Sequence, residues 1–379
     1  MKLGRNQLCH CGSGKKYKKC HMDEDNSPVP MEVLLHFKKI REKENLLKQK
    51  GIYINYVNPV IHKGKKVWAI GNQVYLSENS DETFHDFIQF ILKDTLSFEW
   101  INEQQSLLWE DQHFIVKCFL KFDEWKKELL AKPNYKTPGV LEAPPNGWTK
   151  SLISLAFDIS TLRHVSRIPD FLLGRLKTPL EYQGARYEIM IAAIIARLGF
   201  NIRWLDEEDH SEPHCEFIAT HQESGVEIAV EAKSRHRPGI LHTPGDVNGS
   251  KINGGGIQRL LNQAFKKTEC GKMPFLVFVD INVPHEESGD FKKIPWVKNI
   301  FKNASHSKNV TKENPSAWNA LYFTNFSFHY QADEKASSGQ NLQALPPFVM
   351  HPVSDSTLFP AILRALQYYG DIPDIDIAD

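Results

Sequence analysis

The chain has 379 residues, 41% hydrophobic and 24% charged, a composition that excludes wholesale disorder. That length exceeds what one hydrophobic core usually organises, so two domains and a small appendage are expected. Lys plus Arg and Asp plus Glu balance at 46 each, which excludes a globally basic nucleic-acid binder and leaves local patches open. The longest purely apolar run, Ile189 to Ala196, is far shorter than a membrane span. No charged-then-apolar leader opens the chain. A soluble, cytoplasmic protein without a membrane partner is expected.

The first 21 residues read MKLGRNQLCHCGSGKKYKKCH. Cys9 and Cys11 form one close pair and Cys20 and His21 a second, a donor set that closes a tetrahedron around Zn²⁺. Gly12 and Gly14 allow the sharp turn after the first pair, because glycine tolerates positive φ. A segment this small has no core, so the metal would supply its folding free energy. Cys118, Cys215 and Cys270 are scattered and read as small buried side chains. The string GRNQLCHCGSGKKYKKCH resembles the SEC-C motif, a zinc module carried by many bacterial proteins. That family usually has Asp-Pro before the first cysteine, where this chain has Gln7-Leu8. The resemblance implies a module over residues 1–25 that docks onto a protein or ribosome. Lys15, Lys16, Lys18 and Lys19 suit an acidic or phosphate-rich surface.

Residues 26–148 read as a mostly helical scaffold domain. Residues 31–50 form a Lys- and Glu-rich helical connector. Val67–Ile70 and Val74–Leu76 flank Gly71-Asn72, a hairpin signal. Phe84, Phe87, Ile88, Ile91 and Leu92 recur at helical spacing, and residues 112–130 behave alike. His85 and His113 read as structural. Prolines between 133 and 145 mark a boundary near 131–149. The second domain then runs over 149–379.

Residues 183–282 carry the chemistry. A helix over Gln183–Leu198 is apolar nearly all round and is capped by Gly199. Strands follow at Phe200–Leu205, His214–His221 and Val226–Lys233, then a helix over Ile257–Thr268 and a buried strand at Phe275–Ile281. Further on, Leu321–Tyr330 reads as a strand and Leu358–Tyr369 as an amphipathic helix, with Trp296 and Trp318 in the core. Polar residues interrupt this pattern. Glu188 lies on a helix with almost no wet side, where a carboxylate costs several kcal/mol unless paired, protonated or metal-bound. In EIAVEAK, the period of two puts Glu231 and Lys233 on one face. A turn near 222–225 brings Glu216 beside Glu231, depending on register. Two carboxylates and an ammonium are what metal-assisted phosphodiester cleavage needs: oxygens for Mg²⁺ or Mn²⁺, and a cation for the attacking water or the transition state.

Charge is segregated around these residues. Residues 206–231 hold nine acids and no Lys or Arg, whereas 233–267 hold seven bases and one acid. An acidic pocket beside a basic Gly-rich loop suits a phosphate-backbone substrate. That loop lacks the Gly-Lys-Ser/Thr ending of a nucleotide-binding P-loop.

The order αβββαβ, with Glu188 in the first helix and Glu231-Ala232-Lys233 ending the third strand, resembles the PD-(D/E)xK restriction-endonuclease-like superfamily. The resemblance implies an α/β (α+β) fold and a metal-dependent nuclease. Pro213-His214-Cys215-Glu216 replaces the expected Pro-Asp, so the first acid falls to Glu216, with Asp209 or Glu212 as alternatives. Glu216 and Glu231 would hold Mg²⁺, Lys233 would serve the water, and Glu188 would complete the metal shell or position Lys233. The glutamine such folds often carry in the next helix would be Gln263, or Gln258. Arg235, Arg237 and Lys251 would contact nucleic acid, with DNA the expected substrate and bacterial defence a compatible role. The rival reading is a non-catalytic docking protein on a degenerate nuclease fold, and a third is a translation- or secretion-associated adaptor.

Overall fold

The computed structural model describes residues 3–22, 31–54, 56, 58–78, 80–131, 143–205, 212–236, 256–286, 288–303, 310–355 and 357–373. They divide into two compact units, Met1–Lys48 and Gln49–Asp379. The first holds the cysteine-rich turn and nearly all of helix α1 (Met31–Gln49), which pairs Lys38 with Glu42 on its surface.

In the second unit, β1 (Val60–His62), β2 (Lys65–Ile70) and β3 (Gln73–Leu76) form an antiparallel sheet. Ile70 pairs with Gln73, so Gly71-Asn72 is a two-residue turn, as the sequence predicts. Trp68 on this sheet stacks on Phe87 of α2 (Phe84–Leu96), whose start Thr83 and Asp86 close as a capping box. Helices α3 (Phe98–Gln105) and α4 (Phe114–Ala131) follow.

Helix α5 (Gly147–Val165) packs against α2, α4 and α7 (Tyr182–Arg197), and all but its last three residues are buried. At its first position a β-carbon would come within 2.5 Å of the Phe328 carbonyl, so the close approach requires Gly147. The boundary expected near 131–149 falls inside this unit, and its central stretch, 132–142, lies outside the described residues. α6 (Asp170–Lys177) leads into α7. α5 carries no amphipathic signature in the sequence, because nearly all of its positions are buried.

The main sheet has six strands in the order β4-β5-β6-β7-β8-β9. These are β4 (Phe200–Trp204), β5 (Phe217–His221), β6 (Glu227–Ser234), β7 (Phe275–Asp280), β8 (Ala320–Asn325) and β9 (Gln340–Ala344). The β4-β5 and β5-β6 pairs are antiparallel, β6-β7 and β7-β8 parallel, and β8-β9 antiparallel. The order expected over 183–282 is present as α7, β4, β5, β6, α8 (Ile257–Ala264) and β7. Gly199 has φ of +90° after α7, the left-handed geometry that ends a helix. α7 packs on β4, β5 and β6, while α8 packs on β6 and β7. Covered by helices, residues 228 to 232 of β6 are all buried, so its parity shows in chemistry and not in exposure.

Trp296 at the start of α9 (Pro295–Asn303) and Trp318 belong to the core cluster between α8 and the sheet. The strand expected over 321–330 stops at Asn325 and gives way to a short 3₁₀ turn at Ser327–Tyr330. Helix α10 (Leu358–Gln367) forms as expected. β9 was not foreseen, because QNLQA alternates polar with apolar too weakly to stand out.

Candidate functional site

Two constellations gather chemically active side chains. The first is the N-terminal turn. Cys9 donates its amide to Lys15 O at 2.9 Å and Tyr17 donates to Gln7 O at 2.7 Å, a miniature antiparallel bridge. Gly12 and Gly14 carry φ of +72° and +71°, so the chain reverses between the two ligand pairs. The reversal brings the Sγ atoms of Cys9, Cys11 and Cys20 and a ring nitrogen of His21 within 4.8 Å of one another. His21 Nδ1 lies 3.3 Å from Cys9 Sγ and 3.2 Å from Cys20 Sγ, and Cys11 and Cys20 sulfurs are 3.5 Å apart. A tetrahedral Zn²⁺ with ordinary bond lengths asks for edges of about 3.8 Å between sulfurs and about 3.6 Å from sulfur to nitrogen. Both the donor set and its spacing fit zinc. The Ser13 hydroxyl, 3.1 Å from Cys11 Sγ, and the Ser13 amide bring the Cys11 thiol down to about 6, favouring the thiolate that a metal requires. Lys15, Lys16, Lys18 and Lys19 are all exposed around this centre.

The second constellation lies where β5 and β6 meet. Phe217 pairs with Val230, and the amide of Glu216 donates to the same Val230 at 3.1 Å. That register sets Glu216 against Glu231. Lys233, one pleat beyond Glu231, places Nζ 2.9 Å from Glu216 Oε1 and 2.8 Å from Glu231 Oε1. The three residues chosen from strand parity therefore come together. Glu231 is fully buried, and its Oε2 has no hydrogen-bond partner. Burial first, and then the charge of Glu216, pushes the Glu231 carboxyl above the ordinary carboxylate range.

Glu188 reaches the edge of the same cluster. It is held by a bidentate pair with Arg175 of α6, at 2.8 and 2.9 Å. Burial and the neighbouring Glu216 push it upward, against the pull of Arg175 and Lys233. Of the three ways in which a carboxylate survives on this helix, pairing is the one found.

The remaining candidates separate. Gln263 is exposed on α8, and Gln258 is exposed and bonds Asn262 at 2.8 Å. The helix presents its apolar positions Ile257, Leu260, Leu261 and Ala264 to the sheet, which turns both glutamines outward. Lys267, just past the end of α8, extends Nζ to 3.5 Å from Glu231 Oε1 and donates to His214 O at 2.6 Å. Gln263 thus does not join the cluster, and Lys267 does. Glu212 is exposed, and Asp209, Arg237 and Lys251 lie outside the described residues. Arg235 donates to Ile281 O at 3.0 Å and braces β6 on the strand beside it.

Two contacts that sequence reasoning did not anticipate fix the loop bearing Glu216. Glu269 bonds His214 Nδ1 at 2.8 Å with one oxygen and accepts from the Cys215 amide at 2.9 Å with the other. The Thr268 amide donates to Pro213 O at 2.9 Å. Residues 267–269 therefore clamp residues 213–215. His113, expected to be structural, is buried, and burial depresses it to about 4.

The raised carboxyls make a pH prediction. Burial holds Glu188 and Glu231 above their ordinary value of 4.5, so the folded state binds protons there more tightly than the unfolded chain does. That contribution to stability is full below pH 4.5 and is lost as pH rises through the raised values. Urea unfolding followed across this range in the presence of chelator is expected to lose less stability with rising pH in Glu231→Gln than in the native chain; an identical pH dependence would remove Glu231 as its source.

Among the described residues, the N-terminal quartet is the one group of three or more His, Cys, Asp or Glu side chains whose ligand atoms converge this closely. No helix of the described residues is long and apolar enough to cross a membrane. Residues 5–23 match the SEC-C motif, and the quartet lies within that match. No solved structure matches the chain.

Proposed function

We propose that the protein is a divalent-metal-dependent nuclease, with DNA as its substrate, brought to its target by an N-terminal zinc module. The observation that carries this reading is the convergence of Glu216 and Glu231 on the single ammonium of Lys233, with one Glu231 oxygen buried and unpartnered. An orphaned buried carboxylate oxygen costs free energy until a cation or donor reaches it. Hard carboxylate oxygens are the donors that Mg²⁺ or Mn²⁺ prefers, so Glu216 and Glu231 fit as its holders. A bound divalent cation would polarise the phosphate and lower the pKa of the attacking water.

The protein groups divide the remaining work. Lys233 reaches both carboxylates and is placed to orient the water or to oppose charge gathering on the phosphate. Arg175 locks Glu188 in place at the edge of the cluster. The clamp from residues 267–269 holds the loop ahead of Glu216 in register. The helix, three strands, helix and strand of α7 to β7 match the order expected of PD-(D/E)xK nucleases, which supports the assignment.

A second reading has its own support. Each carboxylate already faces a protein cation, Arg175 for Glu188 and Lys233 for the other two. That arrangement also suits a docking protein that has lost its chemistry.

Purified protein with Mg²⁺ or Mn²⁺ is to be offered plasmid, linear duplex, single-stranded DNA and RNA, beside Lys233→Ala. The nuclease reading expects cleavage by the native chain and a loss of at least 100-fold in the variant. Cleavage that survives the substitution removes Lys233 from the reaction. No cleavage of any substrate, with tight binding to a partner, favours the docking protein.

A further inference from the structure

The charges around Glu231 almost cancel before any metal arrives. Three carboxylates, Glu188, Glu216 and Glu231, face three cations, Arg175, Lys233 and Lys267. The fourth nearby acid, Glu269, is occupied by His214 and the Cys215 amide. Lys267 is the cation that the nuclease reading does not use. It is fixed in place as well as drawn in, because its Nζ donates to His214 O at 2.6 Å while standing 3.5 Å from Glu231 Oε1. The clamp from Thr268 and Glu269 holds that carbonyl where it is.

A divalent cation entering so balanced and buried a site brings two positive charges that nothing in the protein offsets. Uncompensated charge in such an interior is costly. A phosphodiester backbone brings the missing negative charge. We propose that Lys267 makes divalent-metal binding at Glu216 and Glu231 conditional on a bound phosphodiester backbone. The coupling is reciprocal: whatever the nucleic acid adds to metal affinity, the metal adds to nucleic-acid affinity. Lys267 thereby keeps the site metal-poor until substrate arrives, which restrains idle chemistry. This inference rests on the metal-holding role proposed above for Glu216 and Glu231.

The test reads binding and needs no turnover. Mn²⁺ is titrated calorimetrically into the full-length chain alone and into its complex with a phosphorothioate DNA duplex, with the titration into DNA alone subtracted. RNA of the same sequence forms a second arm. The expected result is Mn²⁺ affinity at least tenfold tighter in a nucleic-acid complex than in the free protein. Lys267→Met should tighten Mn²⁺ binding to the free protein and shrink that ratio to below threefold, whereas Lys267→Arg, which keeps the charge, should preserve it. Circular dichroism verifies that each variant is folded. Equal Mn²⁺ affinity with and without nucleic acid, or an undiminished ratio in a folded Lys267→Met, overturns the proposal. Absence of Mn²⁺ binding at this cluster under every condition, checked with Glu231→Gln, overturns the metal-holding role beneath it as well. The two failures are thus told apart.

Discussion

Replacing Cys9 and Cys20 by serine is expected to lower zinc from about one ion per chain to near none and to abolish the order of residues 3–22. The turn buries only two of its side chains, Cys9 and Tyr17. Its backbone bridge consists of a few hydrogen bonds, each contributing about 1 kcal/mol net. Ordering about twenty residues costs far more than that, at about 1–2 kcal/mol per residue. The deficit must come from the metal, and apparent zinc-binding free energies of roughly 10–16 kcal/mol are of the right size. Elemental analysis and amide hydrogen exchange measure the two effects separately. The unfolding midpoint of the second unit should not move, since its core contains none of these residues. Zinc content unchanged by the substitutions would refute the ligand assignment.

This centre was legible in the sequence because all four ligands lie within thirteen residues, and two glycines dictate the reversal between them. The Glu231–Lys233 pair was legible for a similar reason, since strand parity is a local rule. Glu216 needed one more step, the register across a short turn, and the structure resolves it through the shared Val230. The partners were not legible. Arg175 sits on a short helix thirteen residues before Glu188, and nothing in its surroundings marks it. Lys267 looked like one base in a basic run, and the glutamines of α8 looked better by analogy. Which side of α8 meets the sheet is decided by Ile257, Leu260, Leu261 and Ala264, and that choice excludes Gln263. Buried charge was also undercounted. Glu188 was singled out on α7, yet Arg186 pairs with Asp280 at 3.0 Å and Arg197 with Asp158 at 2.8 Å from the same helix. A run of apolar letters hides its arginines when their partners lie about forty to a hundred residues away.

Lys233→Met is expected to destabilise the protein by about 3–5 kcal/mol, the usual cost of stranding a buried charge. The Lys233 side chain is three-quarters buried between Glu216 and Glu231, so the solvent screening that weakens surface pairs offers little relief. With the ammonium gone, Lys267 at 3.5 Å is the remaining cation on Glu231, and two carboxylates repel across one strand spacing. Adding Glu231→Gln to that background removes one of the stranded charges and should recover at least half of the loss. Urea unfolding of both single variants and the double variant at pH 7 gives the coupling free energy directly. A Lys233→Met protein within 1 kcal/mol of the native chain would show that the pairing is not maintained in solution. The cycle also protects the interpretation of the cleavage experiment. An inactive Lys233→Ala protein is ambiguous if it is merely unstable, whereas a Lys233→Met, Glu231→Gln double variant that regains stability and remains inactive assigns the loss to chemistry. Stability and catalysis draw on the same three side chains here, and only the double substitution moves them in opposite directions.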